Sequence, residues 1–507
     1  MNILNSLFAA PASDWMKFAA FFIGIFLFIT AAEKTRSALG WPAEVNRKLV
    51  HIGTGLLIFF CAFLFESQIP LIWMAGIFII VNFMGVQSGK LKGMHGTERK
   101  TYGTVYYPLT FLILVLTCWH SHKTILMMSM LILAVSDAAA AIVGGSLKNP
   151  RAFVLMRDRK SLEGSAAMFL TTLLLITLVM PRIAYLDNLT FPWWRAVWIG
   201  ILAAAAAAVL EALSTGGSDN LTAPLGAAYI MSMMIGRSID VNIQVTQGFF
   251  LALIVALLSV RSEFLSPSGG AAAFLLGTLI FGAGGWAWTV PILTFFILSS
   301  LLSKLGKKKK DRLDYEKSGC RDIYQVLANG GPAGLAVMLY TFFPDPIWYA
   351  LYLGAVAAVN ADTWATEIGV FSRFKPRCIM NFKKVEHGAS GGVTPLGTLS
   401  SLAGSALIFL SGWLAAPEAF RQAVGGHMAW IVPGAGLAAS LFDSVLGASV
   451  QAQHRCKRCG KITEKKVHCG EETGPHSGWR GLNNDGVNAL SALFGMACVW
   501  IGWMIVH

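Results

Sequence analysis

Apolar stretches of membrane-crossing length recur from one end of this 507-residue chain to the other, about sixteen of them near the roughly 20 residues that span a hydrocarbon core. Inside lipid each backbone polar group must find its partner within the segment, so such stretches become helices. Hydrophobic residues make up 55% of the chain and charged residues 13%, far from the soluble globular norm of about 25% charged. The expected fold class is all-α: a polytopic transmembrane helical protein of about sixteen spans in two modules.

The first stretch, Trp15 to Ala32, has almost no basic residue before it and no small-residue cleavage site after it, and reads as a retained helix. The net charge of +13 would suit nucleic acid if it were spread over a surface. Instead most of the Lys and Arg fall in six loops, 33–48, 87–102, 146–162, 304–322, 372–390 and 451–485. The expected topology puts all six on one side, which the positive-inside rule makes the cytoplasm of a cell's inner membrane. The basic run Lys307–Lys310 then serves topology and anionic lipid, not nucleic acid. Eight cysteines are too few and scattered for a disulfide framework, and reduced thiols are expected in a cytoplasmic loop.

A short polar interval, Ile235 to Phe249, separates two styles of apolar sequence, so the boundary is placed near residue 243, giving modules 1–243 and 244–507. No clean internal repeat is visible between them. In each, acidic residues stand at the mouths of apolar helices, where a carboxylate costs several kcal/mol unless it faces a cavity, a metal or a partner.

In the first module the clusters are Glu44–Gly55, Ser136–Gly145, Arg157–Ser165 and Glu211–Gly226. They hold what phosphoryl transfer requires. Asp137, Glu211 and Asp219 can bind Mg2+ through carboxylate oxygens. Arg47, Lys48, His51, Arg157, Arg159 and Lys160 can face phosphates, although each basic residue alone would suit an interfacial anchor and His51 a helix-packing role. The Gly216-Gly217-Ser218 turn offers backbone N–H groups, and Lys160-Ser161-Leu162-Glu163-Gly164 opens a helix whose dipole favours anions. Asp137 or Asp219, if not committed to metal, can act as base toward an alcohol. A Walker A motif is absent.

The ordered strings RKLVHIGTG, SDAAAAIVGG, RKSLEGS and GGSDNLTAPL, over roughly residues 40–230, resemble the phytol kinase and dolichol kinase family of membrane polyprenol kinases. The resemblance implies transfer of a γ-phosphoryl group, typically from CTP, to an isoprenoid alcohol such as phytol, geranylgeraniol or farnesol. Phosphatidate cytidylyltransferases carry a comparable KxxEG loop but end in a GGxxDR-type signature, whereas Asp219 is followed here by Asn220.

In the second module the clusters surround Arg321 and Asn329, Asn360, Asp362 and Glu367, Lys383 and Lys384, Gly391 and Gly392, Asp443, and Asn484, Asp485 and Asn488. Asp362 and Asp443 are candidate Mg2+ ligands, and the lysines candidate phosphate contacts. Asp362 and Glu367, five residues apart, lie about 140° apart around an ideal helix and need not share a ligand. The strings NADTWATEIG, SGGVTPLG, FDSVLGA and NNDGVN, over roughly residues 249–507, resemble the phytyl-phosphate kinase family of integral membrane proteins. That resemblance implies a second phosphorylation, from isoprenyl monophosphate to diphosphate. A monophosphate nucleophile is already ionised, so no base is assigned there.

The loop Cys456–Gly470 carries a CxxC pair followed by His468-Cys469. Cys456, Cys459 and Cys469 with either His468 or His454 are candidate ligands of a structural zinc, against the alternative of a flexible reduced loop. A different functional class, a lipid-phosphate transporter or flippase, would use the carboxylates as coupling sites and would need polar access from both faces. A single-function polyprenol kinase or cytidylyltransferase is a further alternative.

Overall fold

The computed structural model describes residues 9–88, 101–304, 320–386, 388–424 and 426–506; the basic run Lys307–Lys310 lies outside them. The protein is a mostly helical integral membrane protein. Among the described residues, eleven helices are long and apolar enough to cross a membrane. Long helices that carry polar side chains fall short of that measure, which is one reason that the sequence offers more apolar stretches than spans of this kind. The chain divides into two compact units, Met1–Ile239 and Asp240–His507.

Unit 1 runs through α1 (Ala12–Leu39), α2 (Ala43–Leu64), α3 (Ile69–Ser88), α4 (Gly103–Cys118) and α5 (Lys123–Leu131). A π turn, Ile132–Ser136, joins α5 to α6 (Asp137–Ser146). The two-residue strands β1 (Ala152–Phe153) and β2 (Lys160–Ser161) pair antiparallel and lead into α7 (Leu162–Ile183), α8 (Trp193–Leu213) and α9 (Asp219–Met234). The alanine run of α8 is buried, because small side chains let membrane helices approach closely.

Proline inside a helix removes an N–H and orphans the carbonyl four residues earlier. At two such positions in unit 1 a polar side chain meets that cost. Pro108 lies inside α4, and Asn82 Nδ2 donates to the Thr104 carbonyl at 2.9 Å. Pro224 lies inside α9, and Thr110 Oγ1 donates to the Asn220 carbonyl at 2.7 Å.

Unit 2 comprises α10 (Ile239–Arg261), α11 (Pro267–Lys304), α12 (Ile323–Phe342) and α13 (Pro346–Gly369). Strands β3 (Arg377–Cys378) and β4 (Gly392–Val393) pair antiparallel before α14 (Pro395–Ala415), α15 (Glu418–Val424) and α16 (Met428–Ser449). Five short strands, β5 (Gln453–Arg455), β6 (Ile462–Thr463), β7 (Val467–His468), β8 (Glu471–Glu472) and β9 (Gly474–Ser477), precede α17 (Asn484–Val506). Helix α11 breaks at Gly285 (φ 61°, ψ −154°) and contains Pro291. The carbonyl orphaned by that proline, Ala287 O, accepts from the buried Tyr349 hydroxyl at 3.1 Å, and Tyr352 caps Trp288 O. These rings pack with Trp288 at centroid distances of 5.0 and 4.9 Å, forming the apolar heart of the unit around α13.

Candidate functional site

In unit 1 the π turn aims the first carboxylate. The Asp137 N–H reaches back five residues to Ile132 O, and His51 Nε2–H donates to the Leu133 carbonyl of the same turn at 2.7 Å. π turns inside helices concentrate at functional positions. His51 Nε2 lies 3.6 Å from Asp137 Oδ2, and the Tyr107 ring stands edge-on against it at 4.8 Å.

Lys160 gathers the rest. Its Nζ donates to Glu211 Oε1 at 2.7 Å, to Ser214 Oγ at 2.9 Å and to Asp219 Oδ2 at 3.3 Å. Burial opposes the Lys160 charge, but Asp219 and Glu211 outweigh it and hold the ammonium above its ordinary range. The charges of Asp219, Lys160, Glu211 and Arg47 all act on Asp137. Asp137, Glu211, Asp219, Lys160 and His51 therefore form one acidic site around one cation.

The other residues named from the sequence take different places. Arg47 pairs with Glu44 at 2.7 Å, and Lys48 lies 3.9 Å from the same carboxylate. Arg157 and Arg159 are exposed on the β1–β2 connection. Ser161 caps α7, its Oγ accepting from Gly164 N at 3.1 Å, while Glu163 accepts from Arg151 N at 3.0 Å. Gly217 (φ 88°) lies against Gly103, where a Cβ would come within 2.8 Å of backbone. Asn220 Nδ2 donates to the Gly103 carbonyl at 3.0 Å. Ser161, Glu163 and Asn220 are thus committed to local architecture. Ser165 Oγ donates to Glu211 at 3.3 Å, and Asp158 accepts from Gly216 N at 2.9 Å; neither carries a sequence signal beyond its proximity to the motifs.

In unit 2 a polar pocket is lined by Asp362, Asp443, Gly391, Gly392 and Asn484. Glu464, Lys461 and Ser390 line it as well, and Ser390 Oγ donates to Glu464 at 2.5 Å. Burial raises the Glu464 carboxyl above its ordinary range, against the hydrogen bond from Ser390. Asp362 lies within electrostatic reach of Asp443 and Glu464, and Asp443 accepts from Ser491 Oγ at 3.0 Å. Nothing in the local sequence of Glu464, amid lysines and cysteines, marks it as a pocket residue; only the folded loop brings it there.

Glu367, on the far side of α13 from Asp362, is outside this lining and acts electrostatically on Arg321. Arg321 and Asn329 instead line a second, largely apolar cavity among α10, α11 and α12. Asn329 Oδ1 accepts from Asn488 Nδ2 at 3.3 Å. Asn360 ties α13 to α14 through the Gly404 carbonyl at 2.7 Å. Asp485 is buried near Asn483 Nδ2, at 3.5 Å. Lys383 and Lys384 are exposed and do not line the pocket.

The two sites are built alike. Asp137 and Asp362 each stand seven residues before a helix-end glycine, Gly144 and Gly369. A two-stranded antiparallel ladder follows each. Ser161 and Thr394 then cap the next helix, accepting from Gly164 N and Gly397 N. A Cβ on Gly144 would lie 2.9 Å from Ser161 Oγ, and one on Gly369 would lie 3.4 Å from Thr394 Oγ1. Asp219 opens α9 as Asp485 opens α17. The sequence, which shows no clean repeat, conceals this because the loops differ in length and the residue types in detail.

Residues 250–496 match the family described as integral membrane protein DUF92. Protein PGR of Arabidopsis thaliana is 35% identical over 267 residues, which is 48% of this chain and 90% of PGR. The chain belongs to the DUF92 family of integral membrane proteins. The DUF92 match falls within unit 2 and contains its polar pocket, the cysteine loop and all of the apolar cavity's lining but Gly248. Phytol kinase of Synechocystis sp. is 31% identical over 234 residues, 45% of this chain and 94% of that protein. Protein VTE6, chloroplastic, of Arabidopsis thaliana is 26% identical over 238 residues, 46% of this chain and 63% of that protein. No solved structure matches the chain.

Proposed function

We propose that this protein is a bifunctional membrane kinase that phosphorylates an isoprenoid alcohol to its monophosphate in unit 1 and then to its diphosphate in unit 2. The observation that carries the reading is the shared construction of the two acidic sites around Asp137 and Asp362. A relative named phytol kinase supports the substrate class, and it is spanned nearly end to end by less than half of this chain, which leaves room for a second module.

In unit 1 the alcohol oxygen bonds to the γ-phosphorus of a nucleoside triphosphate, CTP by family resemblance, and the bond to the β–γ bridging oxygen breaks. The hydroxyl proton passes to whichever carboxylate of this acidic site is not committed to Mg2+, Asp137 or Asp219. In unit 2 the monophosphate oxygen, already ionised, bonds to the γ-phosphorus of a second nucleoside triphosphate, and the bond to its β–γ bridging oxygen breaks to release the nucleoside diphosphate. Both sites present hard carboxylate oxygens suited to Mg2+: Asp137 and Asp219 in unit 1, Asp362 and Asp443 in unit 2. Magnesium bound there neutralises phosphate charge. The largely apolar cavity among α10, α11 and α12 suits the isoprenoid tail. The positive-inside rule, applied to the basic loops of each unit, supports a cytoplasmic opening for each site.

The test is product analysis. Purified protein receives geranylgeraniol or phytol, Mg2+ and each nucleoside triphosphate in turn. Wild type is expected to yield diphosphate, Asp137→Ala no product from alcohol, and Asp362→Ala accumulated monophosphate. Absence of phosphorylated product from every alcohol and nucleotide pair would overturn the reading in favour of lipid-phosphate transport.

A further inference from the structure

Unit 2 departs from unit 1 at one connection. Between α8 and α9 the chain takes a short turn, residues 214–218, whereas between α16 and α17 residues 450–483 fold into small antiparallel sheets, β6–β5–β9 and β7–β8. Most residues of this flap are exposed. A segment so small, with so little apolar interior, ordinarily needs a covalent or metal staple.

The ligands for one are present. Among the described residues, Cys456, Cys459, His468 and Cys469 are the group whose sulfur and nitrogen atoms all lie within 4.8 Å of one another. Cys459 Sγ is 3.6 Å and Cys469 Sγ 3.2 Å from His468 Nδ1. Ligands about 2.0–2.3 Å from a tetrahedral zinc stand about 3.3–3.8 Å apart. The backbone is shaped to the same end. The Cys459 N–H lies 3.5 Å from Cys456 Sγ, and Gly460 (φ 74°) reverses the chain behind the pair. Cys469 (φ 54°) and Gly470 (φ 81°) form a tight left-handed turn between β7 and β8. That turn lets adjacent residues face one point, and it selects His468 over His454.

The flap also supplies what unit 2 otherwise lacks. In unit 1 a lysine, Lys160, directly precedes the cap Ser161; in unit 2 Val393 precedes the cap Thr394. The lysine lining the acidic pocket is Lys461, from the flap, three residues from Glu464.

We propose that Cys456, Cys459, His468 and Cys469 hold one structural zinc ion, and that this ion folds the flap that places Lys461 and Glu464 in the wall of the acidic pocket. The zinc assignment stands on ligand geometry alone. The part given to Lys461 rests on the kinase reading of that pocket.

Full-length protein purified in detergent without added metal is expected to carry about one zinc per chain by plasma mass spectrometry. Cys456→Ser combined with Cys459→Ser, and separately His468→Ala, should lose nearly all of it, while His454→Ala keeps it. Cobalt in place of zinc should give the intense visible absorption of a tetrahedral thiolate site. Since cysteine variants can fail to fold, zinc is also withdrawn from intact wild type by a chelator. Tryptic cleavage within the flap should then quicken by roughly tenfold or more. Zinc-free wild type that takes up none, a Cys456–Cys459 disulfide in peptide mapping, or undiminished zinc in the serine variant would overturn the metal site. Lys461→Ala should retain zinc and slow the second phosphorylation by roughly tenfold or more. Retained zinc with an unchanged second step would overturn the flap's role in the pocket and leave the metal site standing.

Discussion

Lys160 shows how a single side chain organises a site. With 15% of its side chain exposed and Glu211 at 10%, the pair is shielded enough that breaking it is costly. Lys160→Met should lower stability by about 3–5 kcal/mol, because two carboxylates are left facing each other. Adding Glu211→Gln should recover much of that loss but none of the activity, a contrast readable from thermal melts beside phosphorylation assays. The sign of the pH effect follows from the raised lysine. Its stabilisation is complete below the unfolded value of about 10.4 and is lost as pH climbs through the higher folded value. The stability gap between wild type and Lys160→Met should therefore stay level between about pH 7 and 9 and narrow only above about pH 10. Leaving Mg2+ out of the assay should abolish both phosphorylations, and adding it should return them, with the carboxylates of Asp137 and Asp362 as the sensitive positions. That these acids matter was legible in the sequence, since carboxylates are costly in apolar helices. That Lys160 binds two of them was not, because the partners lie 51 and 59 residues away.

At the scale of elements, the helices interrupted by Pro108, Pro224 and Pro291 are held by side chains from their neighbours. Thr110 serves the Asn220 carbonyl that Pro224 orphans at the start of α9, next to Asp219. Thr110→Val, of nearly equal volume, should cost about 1–3 kcal/mol by leaving that buried carbonyl unpaired. It should also weaken alcohol phosphorylation by shifting Asp219, whereas Thr110→Ser should restore both. A melting curve and a rate for each variant decide the matter. The caps were foreshadowed by the string Lys160-Ser161-Leu162-Glu163-Gly164, where a serine precedes a helix. Their deeper equivalence, Ser161 with Thr394 and Gly144 with Gly369, needed the folded helices. The shared feature is a close crossing of two backbones, and many loop sequences can connect such a crossing.

For the whole molecule, the two-site reading makes a prediction about complementation. Asp137→Ala and Asp362→Ala, each unable to form diphosphate from alcohol, should do so when mixed in one membrane or micelle population. The Asp362→Ala protein releases the monophosphate that Asp137→Ala consumes. Mixing should restore diphosphate at a rate that rises with protein concentration; a mixture yielding only monophosphate would contradict two independent sites. The sequence by itself determined the solvent in which this protein folds, because composition and apolar length decide whether a segment can satisfy its backbone in lipid. It also determined where charge is dear enough to imply chemistry. Tertiary structure alone decided which of those charges meet. Asp362 shares a pocket with Asp443 and Glu464, while Glu367, five residues on, lies outside it and acts electrostatically on Arg321. Helix rotation and loop closure set such distances, and neither is encoded in local pattern.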